Sequence, residues 1–591
     1  MGAFLMKIFH RTPINSITLA ALIMAAAGVV SRLLGFVRDR ILASMFGAGD
    51  VLDVYYAAFR LPDIVFDLLI LGALSAAFIP VFTGLMARDK AHEAWRLAGG
   101  VFVLLTSALM VLIMGLFVAA PLIIPLLVPG FDAEKTAMTV TFTRVMMFSP
   151  LFLGMSAVFG GILMSLKRFF VYALAPIFYN IGIICGALFF VPAMGPVGLA
   201  WGVVLGAVLH FATTMPAAVA CGFGTPIVGV CSAWRNSDVR RVVTLMLPRM
   251  LGTASTQLSM IAVTFFASLT TAGTLAAFTF ANNIGSIPIG VIGVPFAVAA
   301  FPTLAAYSAK GDTDAFVALL VKYIRRTIFL VVPLMVLLVT LRAQVVRVVL
   351  GTGAFDWHDT IMTFQILGIL SLSVFALSLI PLLARAFYAL HNTLTPVLVG
   401  FVSVLVTIVM IVLFLPVYDV YAIPIGFALG SLTNFVLLFV LLEKVLSHHL
   451  LTRIHNAVLG SLIAMALATL TTYALAHLER LSLTDLSALS FAGLAAVWLA
   501  VFVVCARIFR VDVFYIHVLS MAVLSATATQ ITKYIVGTVT DLSTFGEVFA
   551  QLVLAGGIGM GIYLLLGYLF GIDEFFVLRA RVIKFILRRN L

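Results

Sequence analysis

The residues with the most chemical leverage are charged groups set inside long apolar runs. The first run carries Arg32 and then Arg38-Asp39-Arg40; the second carries Asp53, Arg60, Asp63 and Asp67. Arg144, Arg249 and Arg385 follow in later runs. A charge at the centre of a membrane helix costs roughly 2.5–3.5 kcal/mol or more, so it persists where it pairs or handles an ion or substrate. Arg32 and Asp39 are two helical turns apart and share a face, whereas Arg38 lies about 120° around from Arg32. Ion pairing is one account of Arg38, Arg40 and Arg60, which can neutralise Asp39, Asp53 and Asp63. Arg32 has no acid within a turn along the sequence, and a ligand explains it better. Guanidinium offers a planar fork that donates two hydrogen bonds to a phosphate at once. A basic cavity closed to water therefore favours a lipid phosphate or pyrophosphate over a cationic drug.

The elements that must hold these groups are membrane helices. Of 591 residues, 63% are hydrophobic and 10% charged, against about 25% charged in soluble proteins. Stretches such as 101–128, 327–350 and 397–416 exceed the roughly 20 residues that cross the hydrocarbon core. They are continuously apolar, which excludes the alternating pattern of a β-barrel. Sixteen spans are expected, near 14–46, 51–86, 93–128, 135–165, 169–192, 196–221, 238–269, 273–308, 314–350, 358–389, 394–416, 420–446, 455–477, 487–509, 514–537 and 545–571. Lys and Arg gather in alternate loops, around Arg88 to Arg96, Lys167-Arg168, Arg235 to Arg241 and Lys310 to Arg326, and in the tail from Arg579 to Arg589. That alternation places both termini in the cytoplasm and accounts for the net charge of +12 without nucleic-acid binding. The apolar stretch after Lys7 and Arg11 continues too far for a signal peptide and reads as the first span.

Other chemistry is excluded or bland. Cys185, Cys221, Cys231 and Cys505 have neither metal-ligand nor CxxC spacing. No Walker motif, HExxH or Ser-His-Asp constellation occurs, so no cofactor, metal or enzymatic site is expected. Gly198-x-x-x-Gly202-x-x-x-Gly206 is a small-residue stripe for close helix packing. Pro288 and Pro295 with Gly285, Gly290 and Gly293 make the eighth span bendable.

Short matches recur at a nearly constant offset: Arg32 and Arg249 (217), Pro80 and Pro302 (222), Pro176 and Pro396 (220), Gly202 and Gly426 (224). They indicate two six-helix lobes in parallel orientation, 14–221 and 238–446. Thr484-Asp485-Leu486-Ser487 recurs as Thr540-Asp541-Leu542-Ser543, which reads 455–573 as a duplicated helix pair. The expected organisation is an N-terminal lobe (1–230), a C-terminal lobe (231–450) and C-terminal helices with a basic tail (451–591).

Several of these segments are familiar. Ser31-Arg32-Leu33-Leu34-Gly35-Phe36-Val37-Arg38-Asp39, Phe46-Gly47-Ala48-Gly49, Ala58-Phe59-Arg60-Leu61-Pro62 and Gly72-Ala73-Leu74-Ser75-Ala76-Ala77-Phe78-Ile79-Pro80 resemble the opening of the MurJ (MviN) lipid II flippases. Lys167-Arg168-Phe169, Tyr179-Asn180, Leu247-Pro248-Arg249 and Ala386-Phe387-Tyr388-Ala389 extend the resemblance over about 14–446 and the last helix pair. It implies an all-α polytopic MOP-superfamily fold, two lobes in a V around a cationic cavity. It also implies alternating-access flipping of an undecaprenyl-diphosphate-linked peptidoglycan precursor across the bacterial cytoplasmic membrane. The family's cavity arginines match Arg32 and Arg38, and its aspartate on the second span matches Asp53. With Asp39, Arg60 and Arg249 these are the expected substrate-binding residues. Phe66-Asp67 stands where the family often has a basic pair, Leu71 at a usually acidic position, and Asn282-Asn283 where an Asp-Arg pair is typical. Those departures keep open a flippase for another lipid-linked oligosaccharide and, further off, an ion-coupled exporter using Asp67. The expected partners are the lipid-linked anion and membrane lipids; the pattern selects no coupling ion.

Overall fold

The computed structural model describes residues 17–67, 74–224, 229–446, 513–539 and 544–587. Among these residues there are helices and turns but no strand. Two expected spans, 455–477 and 487–509, lie outside the described residues. Two compact units are formed, Met1–Ala276 with Val349–Asp359, and Ala277–Val348 with Thr360–Leu591.

The first unit begins with α1 (Ile17–Phe46). In the second expected span, α2 (Asp50–Ala58) and α3 (Arg60–Phe66) meet at Phe59, and α4 (Leu74–Met86) is described from Leu74 onward. Then come α5 (Ala91–Leu127), α6 (Ala133–Met146), α7 (Phe148–Ser165), α8 (Phe169–Cys185) and α9 (Gly198–Ala220). A short α10 (Val230–Arg235) leads to α11 (Ser237–Ser268), which packs on α3, α4 and α5 and so belongs to this unit. In sequence α12 (Thr274–Gly285) follows. The second unit holds α13 (Val294–Ala309), α14 (Thr313–Thr340) and α15 (Arg342–Leu350), then α16 (Trp357–Ser371) and α17 (Val374–Ala389), which meet at a 45° bend. It ends with α18 (Leu394–Tyr418), α19 (Ala422–Val445), α20 (Val513–Val539), α21 (Phe545–Leu569) and α22 (Asp573–Leu587). Its core is built on Phe329, Phe375, Phe387, Phe435 and Tyr563.

Prolines explain much of the polar pairing. A helical proline leaves the carbonyl four residues back without its N–H, and in lipid that carbonyl needs another donor. Pro62 frees the Ala58 carbonyl, which accepts from the Thr143 hydroxyl at 3.4 Å. Pro121 frees Phe117, whose carbonyl accepts from Arg144 Nε at 3.1 Å while the guanidinium lies over the Phe117 ring. Pro333 frees Phe329, which accepts from the buried Tyr563 hydroxyl at 3.0 Å. Wide π-turns at Gly186–Phe190 and Ile289–Gly293 immediately precede Pro192 and Pro295, another way of absorbing a missing donor. Arg144 is thus a structural donor. Arg144→Met should cost about 1–3 kcal/mol for the orphaned carbonyl. Pro121→Ala, which restores the backbone donor, should recover most of that loss in thermal unfolding of the detergent-solubilised protein. Equal destabilisation with and without Pro121→Ala would refute the pairing.

Glycines set the closest helix contacts. A Cβ on Gly182 would lie 2.3 Å from the Gly206 backbone, and one on Gly186 would lie 2.2 Å from Gly202 Cα. The small-residue stripe therefore packs α9 on α8, as its spacing predicts. A serine-glycine variant joins two pairs in the second unit. Ser403 donates to the Gly430 carbonyl at 2.8 Å between α18 and α19, and Ser525 donates to Gly559 at 2.7 Å between α20 and α21.

Candidate functional site

The charged residues of α1 have two different surroundings. Arg32 is exposed, on a face shared with the exposed side chains of Val29, Leu33 and Val37. Arg38 turns inward. Its Nε and Nη2 reach Asp39 Oδ1 at 3.0 and 2.8 Å, and Nη1 donates to Asn180 Oδ1 at 3.2 Å. Asn180, buried on α8, returns its amide N–H to the carbonyls of Pro176 (3.1 Å) and Ser31 (3.3 Å). The three side chains form a closed network that ties α1 to α8, with the Asp39 charge neutralised by its neighbour. A shared face with Arg32 is what the helical spacing predicts for Asp39; the long Arg38 side chain instead folds back onto it.

Asp53 is 3% exposed, and among the described residues its oxygens are held by backbone N–H groups and by no cation. Oδ2 accepts from Gly273 N–H at 2.7 Å and Oδ1 from Ala276 N–H at 2.8 Å. These are free donors of the first turn of α12, where an anion is stabilised by the backbone dipoles. Asp53 therefore holds a helix start, over a sequence separation that no local motif signals.

Around it lies a clasp of four turns, all within the first unit. Ala48 N–H donates to Asp359 Oδ2 at 2.7 Å, Ala354 N–H to the Ser44 carbonyl at 2.8 Å, and Gly130 N–H to Ser268 Oγ at 3.2 Å. Glycines permit the approach: a Cβ would fall 1.7 Å from the Ala48 carbonyl oxygen at Gly273, 1.9 Å from that of Ser268 at Gly130, and 2.3 Å from that of Ser44 at Gly353. Gly273 and Gly353 also have left-handed φ of +86° and +61°. Asp132 and Asp356 each cap the following helix by accepting an N–H three residues on, both at 2.8 Å. The contacts come in pairs: Gly353 follows Gly130 by 223 residues, and Ser268 follows Ser44 by 224.

Arg60 is buried on α3, and its Nε donates to Thr264 Oγ1 on α11 at 2.7 Å. Asp67, where the resemblance expects a basic residue, accepts from the buried Gln257 amide. Arg249 lies on α11, and its side chain is outside the described residues. Of the expected residues, Arg38 and Asp39 are in direct contact. Asn180 entered only through the Tyr179-Asn180 motif of the resemblance, and Thr264, Gln257, Asp359 and the glycines at 130, 273 and 353 are supporting groups to which the sequence reading gave no role. A lone amide in an apolar helix and a glycine within a turn were the signals available.

Long apolar helices in two compact units, with charged side chains held by amides, hydroxyls and freed carbonyls, describe a polytopic α-helical membrane protein. The fold agrees: a lipid II flippase MurJ in an inward closed conformation superposes with a TM-score of 0.62 at 20% identity, covering 83% of this chain and 98% of that one. An inward-facing multidrug resistance MATE family transporter gives 0.58 at 16%, covering 71% and 94%. The family model described as lipid II flippase MurJ matches residues 42–492. A probable lipid II flippase MurJ of Rhizobium tropici is 31% identical over 428 residues, 71% of this chain and 80% of that protein. A lipid II flippase MurJ of Burkholderia cenocepacia is 28% identical over 432 residues, 72% and 83%. The chain belongs to the lipid II flippase MurJ family and is a multi-pass bacterial membrane protein.

Proposed function

We propose that this protein moves lipid II from the inner to the outer leaflet of the cytoplasmic membrane by alternating access, with both termini in the cytoplasm. The observation that carries the reading is the placement of Arg32, exposed on α1 two turns before Asp39 and on a face shared with the exposed side chains of Val29, Leu33 and Val37. A guanidinium so placed suits a diphosphate on an apolar chain. In this reading Arg32 and Arg249 meet the diphosphate, Arg38 joins them when its network opens, and Asp39 and Asp53 position helices. The clasp is the outward barrier, built from turns whose backbones meet without intervening side chains. Such a contact either fits or separates, which suits a two-state gate.

A second reading rests on Asp67, which pairs with the Gln257 amide and stands where the resemblance expects a basic residue. It is a flippase for a different lipid-linked glycan, whose headgroup accepts fewer cationic contacts. Expression in a bacterium depleted of its own flippase separates the two. Restored outer-leaflet lipid II is the expected result. Correct membrane insertion with no lipid II externalised, together with export of another lipid-linked glycan, would favour the second reading.

A further inference from the structure

Arg60 has a second consequence that does not depend on the flippase reading. It lines a crevice of about 320 Å³ whose other walls include Ile64 from α3, Ile123, Leu126 and Leu127 from the last turns of α5, and Ile261 from α11. All of these belong to the first unit. Apart from the guanidinium, these walls are Leu and Ile side chains. Arg60 is 9% exposed, and its only hydrogen bond among the described residues is from Nε to Thr264 Oγ1. Thr264 is fully buried and passes its own proton to the Met260 carbonyl at 2.8 Å, so it locks the guanidinium in place. Asp63, one turn along α3, is near enough to attract Arg60 electrostatically but makes no hydrogen bond or close ion pair with it among the described residues. The two Nη groups thus have no protein acceptor, and neither is sealed inside the protein. A guanidinium buried in this way needs an anion for its remaining donors.

We infer that this crevice is a binding site for an anionic phospholipid, its phosphate on the Arg60 Nη groups and one acyl chain along the Ile64–Ile123–Leu126 wall. Three features select this occupant. The chemistry of the donor is that of a phosphate fork. The apolar wall runs out to Leu122 and Leu126, each 75% exposed on α5, so the crevice opens on the protein's apolar outer surface. Its volume lies at the small end for ligand pockets, about 300–1,000 Å³, which admits a phosphate and part of one chain but not a disaccharide-peptide headgroup. The lipid is a resident ligand, distinct from the transported one, and its phosphate accepts from the Nη groups that no protein acceptor engages among the described residues. The crevice lies beside Leu127, the last residue of the long apolar helix α5.

Native mass spectrometry of the full chain, released from detergent micelles containing equal phosphatidylglycerol and phosphatidylcholine, tests this directly. The wild type is expected to retain phosphatidylglycerol at least tenfold over phosphatidylcholine. Arg60→Gln should abolish that preference, and Ile123→Trp, which fills the crevice and leaves the arginine, should reduce retention of the same lipid. Thr264→Val, which frees Arg60 without removing its charge, reports on folding and should keep a reduced preference. No preference in the wild type, or an unchanged one in Arg60→Gln, would overturn the assignment. So would retention of polyprenyl phosphate with no retention of phosphatidylglycerol, which would make the crevice part of the substrate path.

Discussion

Gly273→Val is expected to hold the clasp open. Any Cβ at this position would sit 1.7 Å from the Ala48 carbonyl oxygen, and the backbone is left-handed at φ +86°. Overpacking costs about 1–3 kcal/mol and a left-handed backbone about 1–2 kcal/mol more. The closed arrangement therefore loses roughly 2–5 kcal/mol, about 30-fold or more in its population. Accessibility of Ala48 reads this out, because it is 5% exposed in the closed clasp. With Ala48→Cys in a background lacking the four native cysteines, an impermeant maleimide added from outside should label Gly273→Val at least tenfold faster than its parent. Gly353→Val, which acts on Ser44 through a different turn, should do the same. Gly311→Val is the control: its φ is +71° but nothing lies within 4 Å of the added Cβ, so it carries strain without a clash. Unchanged labelling in both clasp variants would remove the gate from the mechanism.

Asp53 gives the same gate a gentler perturbation. Asp53→Asn keeps the shape but loses the charge on the α12 start and forces an amide N–H against a backbone donor. It should accelerate labelling less than Gly273→Val does.

Much of the helical architecture was legible because its signals are local. Apolar runs longer than the bilayer, prolines near helix bends and glycines four apart follow from composition and period alone. The interruption at Phe59 in the second span was less visible, since Pro62 predicts only that some carbonyl is freed and not that Thr143 will meet it. The charged residues divide along the same line. Helical spacing relates Arg32 to Asp39 correctly as backbone positions. It is silent on a side chain as long as arginine's, which crosses from one face to the next and pairs Arg38 with its immediate neighbour. Asp53 with Gly273, and Arg60 with Thr264, join residues more than 200 positions apart. A single sequence marks such groups as costly without saying what satisfies them. Arg144 shows the consequence: it looks like a cavity charge and serves a carbonyl left over by Pro121.

Arg32 is a costly charge exposed on an apolar helix face, and the transport reading concentrates there. Arg32→Ala removes the bidentate donor and should abolish flipping, whereas Arg32→Lys keeps the charge without the fork and should retain a small part of it. Loss of one charge-assisted contact of about 1.5–3 kcal/mol predicts a fall of roughly 10- to 150-fold. Neither variant should unfold the protein, because the network that ties α1 to α8 runs through Arg38, Asp39 and Asn180. The decisive measurement is outer-leaflet lipid II in flippase-depleted cells carrying the wild type, Arg32→Lys or Arg32→Ala at matched membrane levels. The account predicts restored lipid II with the wild type, a tenfold or greater drop with Arg32→Ala, and an intermediate level with Arg32→Lys. Wild-type levels of outer-leaflet lipid II from Arg32→Ala would contradict it.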